Sequence, residues 1–330
     1  MEDTLRINNA KKAISRFGFS LCGIILISNI LNFLWFWGLP LIFGADSWIC
    51  SSSWGMWIGN FLPMYGVAMP LSLQLLRNVE ACPPEKSNLR GKDFLFLIPI
   101  CAFMMYGGNL VGTLLSMVLS GGMAQNAIME LALDNNPLKV LVMVILAPIL
   151  EELIFRKMLI DRTRRYGEKL AVVLSAVTFG LMHQNLFQFF YAFGLGLVFA
   201  YVYVRTGKLR YSIIFHACIN FLGSVFAPWL LSQLDMELLA NLDPSAITEE
   251  VLSQLSSMLL GLLAFGAYAL LLVTASLAGL ILFVIKVRDL TWKEAEEPLP
   301  KGSVFRAVYL NPGMLIFIAA CLVFIVLALT

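Results

Sequence analysis

Apolar stretches recur along most of the chain and are separated by short polar segments. A helix needs about 20 residues to cross a bilayer. Stretches of that length lie at 17–43, 54–76, 94–119, 138–160, 211–233, 257–285 and 307–330, and two shorter ones lie at 170–183 and 189–204. The ten-residue alternation typical of a membrane β-barrel is missing from the sequence. The pattern predicts an all-α, polytopic integral membrane protein with about nine transmembrane or partly spanning helices.

Composition supports this class. Hydrophobic residues make up 59% of the chain and charged residues 13%, whereas soluble domains carry about 25% charged residues. The net charge of +2 indicates no particular partner. We therefore expect the lipid bilayer, and no nucleic acid, among the partners.

The placement of Lys and Arg predicts the topology. These residues concentrate in the N-terminal stretch and in segments 77–93, 157–169, 205–210 and 286–306. The intervening segments 44–53, 120–137 and 234–256 contain none, and Lys139 is the only Lys or Arg on the predicted outer side. Because basic loops stay in the cytoplasm, we expect a cell-membrane protein with its N-terminus in the cytoplasm and its C-terminus outside.

Ionisable side chains inside the apolar stretches are few. The chain has two histidines, His183 and His216, and the pair Glu151-Glu152 is the acidic pair within an apolar stretch. An ionisable side chain at the centre of a bilayer costs about 3 kcal/mol or more and usually marks function. Since buried polar groups need partners, we expect these four side chains to form one polar site.

Helical spacing assigns faces to these residues. Glu152 and Arg156 are four apart, so they share a face and can form an ion pair. Glu151 points about 100° away and can serve as a general base. Asn220 lies four residues after His216 and can position its imidazole or donate a hydrogen bond beside it. Counted at about 1.5 Å per residue from Arg156 and Arg210, Glu151 and His216 lie about 7–9 Å inside the cytoplasmic boundary.

The segment 170–204 is predicted to be a hairpin. Its arms are shorter than the roughly 20 residues that cross a membrane, and its turn, His183-Gln184-Asn185, is polar and uncharged. We expect its tip to end inside the membrane, where irregular backbone must be buried in protein or line a wet cavity. The stretch 234–256 is either a helix on the outer surface or a solvated loop.

The same residues carry a family resemblance. EELIFR at 151–156, FGLMH at 179–183 and HACIN at 216–220 resemble the EExxxR, FxxxH and HxxxN motifs of the CPBP family. This family comprises CAAX-prenyl proteases and bacteriocin-processing or self-immunity proteins, and is also called Abi. The resemblance covers roughly 140–225 and suggests a division into N-terminal transmembrane helices (1–137), a catalytic helical core (138–233) and C-terminal transmembrane helices (234–330).

The resemblance implies an intramembrane endopeptidase in which Glu151 activates water. It further implies that Glu152 and Arg156 support Glu151, and that His183 helps to hold the water or a metal. His216 and Asn220 would then stabilise the oxyanion. Hydrolysis needs such a base and such donors. The sequence also predicts that the site opens to the cytoplasm.

Two questions stay open in the sequence. A zinc ion held by Glu151, His183 and His216 is an alternative, because two histidines and a glutamate suffice for a catalytic zinc; our first choice is a reaction without a cofactor. The substrate is a membrane-associated protein or a peptide, prenylated or not. A proton-coupled transporter using these residues as a relay, and a catalytically silent immunity or scaffold protein, are the competing functions.

Overall fold

The computed structural model describes residues 2–242 and 247–330. In those residues all regular secondary structure is helical, which confirms the predicted fold class. The helices are α1 (Glu2–Phe43), α2 (48–76, interrupted at Ser52), α3 (Gly91–Ser120), α4 (Ala127–Leu133), α5 (138–166), α6 (Glu168–Met182), α7 (Leu186–Thr206), α8 (Leu209–Leu231), α9 (Met236–Ala240), α10 (Glu249–Ser257), α11 (Leu259–Lys286), α12 (Val304–Val308) and α13 (Pro312–Leu327).

Each of the nine predicted apolar segments is helical in the described residues. By length and apolarity, α1, α3, α7, α8 and α11 can cross a membrane, the last as part of Leu259–Asp289. One expectation is wrong: the second arm of the 170–204 hairpin is α7, which has 21 residues and is long enough to span. The first arm, α6, has 15 residues and is short, as expected.

Prolines explain much of the irregular helix geometry. Five helical stretches are in the wider π form, and four of them lie directly before the turn that holds Pro40, Pro70, Pro148 or Pro228. Proline lacks an N–H group and its ring clashes with the carbonyl four residues earlier. Widening the preceding turn relieves this clash without ending the helix. Pro148 lies three residues before Glu151, so this distortion sits beside the candidate site.

The basic segments gather at one end of the helix bundle, which we call the basic end. Arg16 from the N-terminal stretch lines the same polar cavity as Arg165. The contacts that join the other basic segments are Lys293 Nζ to Glu85 Oε2 (2.6 Å), the Ser87 amide to the Thr206 carbonyl (2.8 Å) and the Glu297 amide to the Arg165 carbonyl (2.9 Å). The basic segments, which are separated along the sequence by segments without Lys or Arg, therefore lie together in the structure.

The segments without Lys or Arg gather at the opposite end, which we call the Asp134 end. Ser53 Oγ and the Trp57 indole both donate to Asp134 Oδ2, each at 2.6 Å. Partial burial alone would raise the pKa of Asp134, but these bonds outweigh it and hold the pKa below its usual value. Which end faces the cytoplasm stays a prediction. In the 234–256 stretch, α9 and part of α10 are helical, and residues 243–246 lie outside the described residues.

Close helix contacts bring the hairpin against its neighbours. A side chain at Gly108 of α3 would lie 2.5 Å from the backbone of Tyr191, and one at Gly112 would lie 2.3 Å from the Leu186 carbonyl. Small residues permit such close approach of membrane helices. Consequently α3 packs directly on the first turns of α7, next to the hairpin tip.

Candidate active site

Glu152 and Arg156 form a fully buried ion pair on α5. Arg156 Nε lies 2.9 Å from Glu152 Oε2, and both side chains have no exposed surface. The opposite edge of the guanidinium donates to Ser175 Oγ at 2.7 Å, and this hydroxyl donates to the Phe155 carbonyl at 2.7 Å. Ser175 therefore belongs to the support of the site, which its sequence position did not indicate. The spacing argument placed the pair correctly, but its catalytic role stays a prediction.

His216 from α8 is attached to this pair. Its Nδ1 lies 3.1 Å from Glu152 Oε1. A carboxylate paired with arginine is ionised and can only accept, so the imidazole donates from Nδ1. The ring stacks on Phe199 at 5.4 Å between centroids and meets the edge of Phe179 at 5.7 Å. These contacts fix the ring and direct its Nε2 toward Glu151, whose Oε2 is 3.7 Å away.

Glu151 has a different environment from its neighbour Glu152. Its side chain retains 15% of its surface exposed, and its Oε1 accepts a hydrogen bond from the Tyr65 hydroxyl at 3.0 Å. No salt bridge to a Lys or Arg is present at Glu151 within the described part of the chain. The carboxylate can therefore receive a proton from a bound water.

His183 occupies the tip of the hairpin between α6 and α7. Its Nδ1 lies 2.9 Å from the Phe179 carbonyl, which can only accept, so this nitrogen carries the proton and Nε2 carries the lone pair of the neutral ring. The next residue, Gln184, has a φ of 58°. Asn185 then begins α7 by accepting from the Gln188 amide and donates to the His183 carbonyl. The turn predicted from the sequence thus presents His183 in a fixed orientation.

Asn220 contributes differently from the expectation. Its amide nitrogen donates to the Met143 carbonyl at 2.8 Å, so it ties α8 to α5 and does not position His216. The amide has a second N–H group, and the residue lies in the wall of the cavity described next. Its proposed role as an oxyanion donor stays a prediction.

A cavity of about 770 Å³ brings these side chains together. Glu151, His183, His216 and Asn220 all line it, whereas Glu152 and Arg156 lie behind its wall. Tyr65 and Tyr191 line it as well and were not singled out from the sequence. Tyr191 Oη accepts from Gln188 at 2.8 Å, which leaves its own proton available.

Glu151, His183 and His216 are the side chains that could bind a zinc ion. Both histidines have Nδ1 bonded to an oxygen and Nε2 free, an arrangement typical of metal ligands. However, no three His, Cys, Asp or Glu side chains converge on one point among the described residues. The residue types suit zinc, but the arrangement of the described side chains in this structure does not.

The cavity extends away from the basic end. Its lining includes Asn126 and Met129, from the segment that precedes Asp134, and Leu327 near the C-terminus. The described residues of the basic loops do not contribute to it. The side of the membrane to which the site opens stays a prediction. The depth count is also affected, because Arg156 is buried and does not mark a membrane boundary.

Chemically, the cavity offers one carboxylate, two oriented imidazoles and several hydroxyl and amide donors. A carboxylate beside a water can act as a general base. Donors in the cavity wall can stabilise negative charge on a carbonyl oxygen. This combination suits hydrolysis of an amide or ester.

Comparisons with known proteins point to the same part of the chain. Residues 134–222 match the family described as Type II CAAX prenyl endopeptidase Rce1-like. A protein of Bacillus subtilis (strain 168), named "Putative membrane peptidase YdiL", is 35% identical over 88 residues. This likeness covers 26% of the chain and 35% of the relative's length. No solved structure matches the chain.

Proposed function

We propose that this chain is an intramembrane endopeptidase of the CAAX-protease-like (CPBP) kind, because residues 134–222 match the Type II CAAX prenyl endopeptidase Rce1-like family and the chain resembles the protein named "Putative membrane peptidase YdiL". It hydrolyses a peptide bond of a membrane-associated protein or a peptide, and a water activated by Glu151 is the nucleophile. Glu151, Glu152, Arg156, His183, His216 and Asn220 form the machinery, and no cofactor is required.

The environment of Glu151 is the observation that carries the proposal. Two adjacent glutamates have opposite surroundings: Glu152 is locked to Arg156, whereas Glu151 faces a cavity and contacts a neutral hydroxyl. A structural ion pair would explain Glu152 and Arg156 but would leave Glu151 without a purpose in an apolar helix. A general base needs such a free carboxylate within reach of water.

The reaction then proceeds in two steps. Glu151 takes a proton from water while the oxygen adds to the carbonyl carbon of the peptide, and the carbonyl oxygen becomes an oxyanion. In the proposal this charge is stabilised by the second N–H of Asn220 and by His216 in its doubly protonated form, in which Nε2 carries a proton as well as Nδ1. Glu151 then returns the proton to the leaving nitrogen as the C–N bond breaks. His183 Nε2 accepts a hydrogen bond from the water and holds it.

The supporting residues act through His216. The chain of contacts from Ser175 through Arg156 and Glu152 to His216 holds a proton on Nδ1 and fixes the direction of the imidazole. Glu152 and Arg156 are thus positioning residues, and Glu151 is the residue that exchanges protons with the substrate.

The test compares protein termini in cells that express the wild type, Glu151→Gln or Glu294→Gln. The last is a matched control, because Glu294 is an exposed carboxylate in the 286–306 segment. New termini should appear with the wild type and the control. They should fall at least about 100-fold with Glu151→Gln, as expected for loss of a general base. Equal cleavage by Glu151→Gln, at equal protein level, would reject Glu151 as the base, and no cleavage by the wild type would favour the silent scaffold.

A further inference from the structure

We propose that a second cavity, at the basic end, binds a phosphate group, presented either by an anionic lipid headgroup or by a soluble phosphate compound. This cavity has a volume of about 430 Å³ and shares no lining residue with the candidate active site. We call it the basic cavity. The inference does not depend on the proposed function.

The basic cavity lies where three predicted apolar segments end. Arg16 of α1 directly precedes the apolar segment that begins at residue 17, and Asn78 follows the one that ends at residue 76. Arg162 and Arg165 lie in the last turns of α5, beyond the apolar segment that ends at residue 160. The cavity is therefore at the depth at which lipid headgroups meet a membrane protein, and basic pockets between helices at that depth bind phosphorylated headgroups.

Positive charge exceeds negative charge in the basic cavity. Two carboxylates and four cations line it, and the cations are Lys12, Arg16, Arg162 and Arg165. Both carboxylates pair with the same cation: Arg165 Nη1 lies 3.1 Å from Glu80 Oε2 and 3.3 Å from Glu297 Oε1. Among the described residues no acidic side chain forms a salt bridge with the other three cations. The cavity thus keeps positive charge that its own carboxylates do not neutralise, which favours an anionic ligand.

Two guanidinium groups of the basic cavity also have unused donors. The Nε atoms of Arg162 and Arg165 are buried and have no hydrogen-bond partner within the part of the chain that the structure describes. The Nη1 of Arg162 donates to the Met158 carbonyl at 3.2 Å, which leaves its other N–H groups for a ligand. Buried donors normally have an acceptor. Guanidinium groups bind phosphate oxygens through pairs of N–H groups, so phosphate is the anion that suits this donor set best.

The exposure of the lining residues shows how an anion reaches these donors. Lys12 and Asn78 are exposed and form the rim of the basic cavity. The three arginines are half-buried and lie deeper. A phosphate can therefore pass an ammonium and an amide, which also donate hydrogen bonds, before it meets the guanidinium groups. The volume of about 430 Å³ leaves room for part of the group to which the phosphate is esterified.

Membrane topology alone would also place Lys and Arg at this end. That explanation requires basic residues in the loops, but it does not require that they converge on one cavity from separate parts of the chain. Arg77 separates the two explanations. It is exposed at the basic end, beside Asn78, and does not line the basic cavity, so Arg77→Gln is the matched control.

The test measures binding to the full chain in micelles of an uncharged detergent, in which no membrane surface charge contributes. The lipid probes are dihexanoyl phosphatidylglycerol, which is anionic, and dihexanoyl phosphatidylcholine, in which the choline cation balances the phosphate. Glycerol phosphate is the soluble probe. Native mass spectrometry counts the bound molecules and calorimetry gives their Kd.

We expect one phosphatidylglycerol per chain, bound at least about tenfold more tightly than phosphatidylcholine. Arg16→Gln and Arg162→Gln should each weaken this binding at least about tenfold, because each removes a charge-assisted donor. Arg77→Gln should change Kd less than about twofold, because its charge is solvated and lies outside the basic cavity. Lys12 is exposed, so Lys12→Gln remains readable if an arginine variant unfolds, and it should weaken binding about fivefold.

The soluble probe identifies the source of the phosphate. Binding of glycerol phosphate that depends on Arg16 and Arg162 would support the site and assign it to a soluble phosphate compound. Binding of phosphatidylglycerol alone, with the same dependence, would support the site and assign it to a lipid. Equal loss in Arg77→Gln and Arg16→Gln, equal affinity for the two lipids, or no binding of either anionic probe by the wild type would overturn the inference. None of these outcomes bears on the proposed function.

Discussion

Arg156→Met is the substitution whose cost is best defined by the structure. It removes the cation that pairs with Glu152 at 2.9 Å and the donor to Ser175 at 2.7 Å. Methionine keeps an unbranched apolar chain in the place of the arginine stem. Glu152 is then left as a buried carboxylate without its cation, and its remaining partners are the neighbouring side chains of His216 and Ser212.

Burial decides the magnitude. Both members of the pair have no exposed surface, and removal of one partner from such a pair costs about 3–5 kcal/mol. An exposed pair contributes about 0–1 kcal/mol. Glu152→Gln should cost a similar amount, because it leaves the guanidinium unpaired. The double variant removes both charges and should recover at least about 2 kcal/mol relative to the sum of the single variants.

The assay is reversible unfolding of the full chain in mixed micelles, monitored for the four members of this cycle. Arg6→Met is the matched control, because Arg6 and Glu2 are also four residues apart on a helix but are exposed by 32% and 78%. We expect that variant to lose less than about 1 kcal/mol. If Arg156→Met loses no more than Arg6→Met, or if the cycle is additive, the pair does not support the site in the way we describe.

Further predictions concern the cavity and its rim. His183→Ala should lower turnover about 100-fold, because the water loses its acceptor; near-normal activity would remove His183 from the site. Tyr191→Phe removes the acceptor of the Gln188 amide and should cost about 1–3 kcal/mol of stability. It should also lower kcat about 100-fold, because the hydroxyl proton of Tyr191 donates to the oxyanion, and an unchanged kcat would exclude that role. A strong chelator should leave activity intact, whereas elemental analysis that finds about one zinc per chain, lost in a His183→Ala/His216→Ala variant, would overturn the metal-free mechanism. Asp134→Asn should unfold more easily than the wild type at neutral pH. A carboxyl group whose pKa is lower in the folded than in the unfolded protein stabilises the fold at pH values above its unfolded pKa of about 3.9. The difference in stability between wild type and variant should therefore vanish as the pH falls through the lowered pKa of Asp134. A difference that persists at low pH would contradict this reasoning.

Part of the candidate site could be predicted from the spacing of neighbouring residues along the sequence. Glu152 and Arg156 meet because residues four apart share a helical face, and the polar turn at His183 follows from the short first arm of the hairpin. These inferences need only a few neighbouring residues. They are the parts that the structure reproduces with bond distances.

Long-range contacts could not be predicted in the same way. Tyr65 bonds to a carboxylate 86 residues later in the chain, and Ser175 completes a contact with Arg156 from a different helix. Tyr191 lies in an aromatic stretch, and no feature of the sequence distinguishes it from the aromatic residues around it. Asn220 shares a face with His216, yet it donates to the Met143 carbonyl of another helix. Such pairings depend on helix packing, which hydrophobic periodicity does not specify.

The depth count from Arg156 shows where reasoning from charge in the sequence fails. The sequence-based depth of Glu151 takes Arg156 as a residue at the cytoplasmic boundary and counts about 1.5 Å per residue from it. On that assumption Glu151 lies close to the boundary. In the structure Arg156 has no exposed surface, because Glu152 and Ser175 satisfy it inside the bundle. An arginine neutralised by its own helix carries no information about the membrane boundary. The unburied Lys and Arg of the loops do carry it, and they lie at the end of the bundle away from the cavity. The same buried ion pair that misleads the depth count therefore lies behind the wall of the cavity.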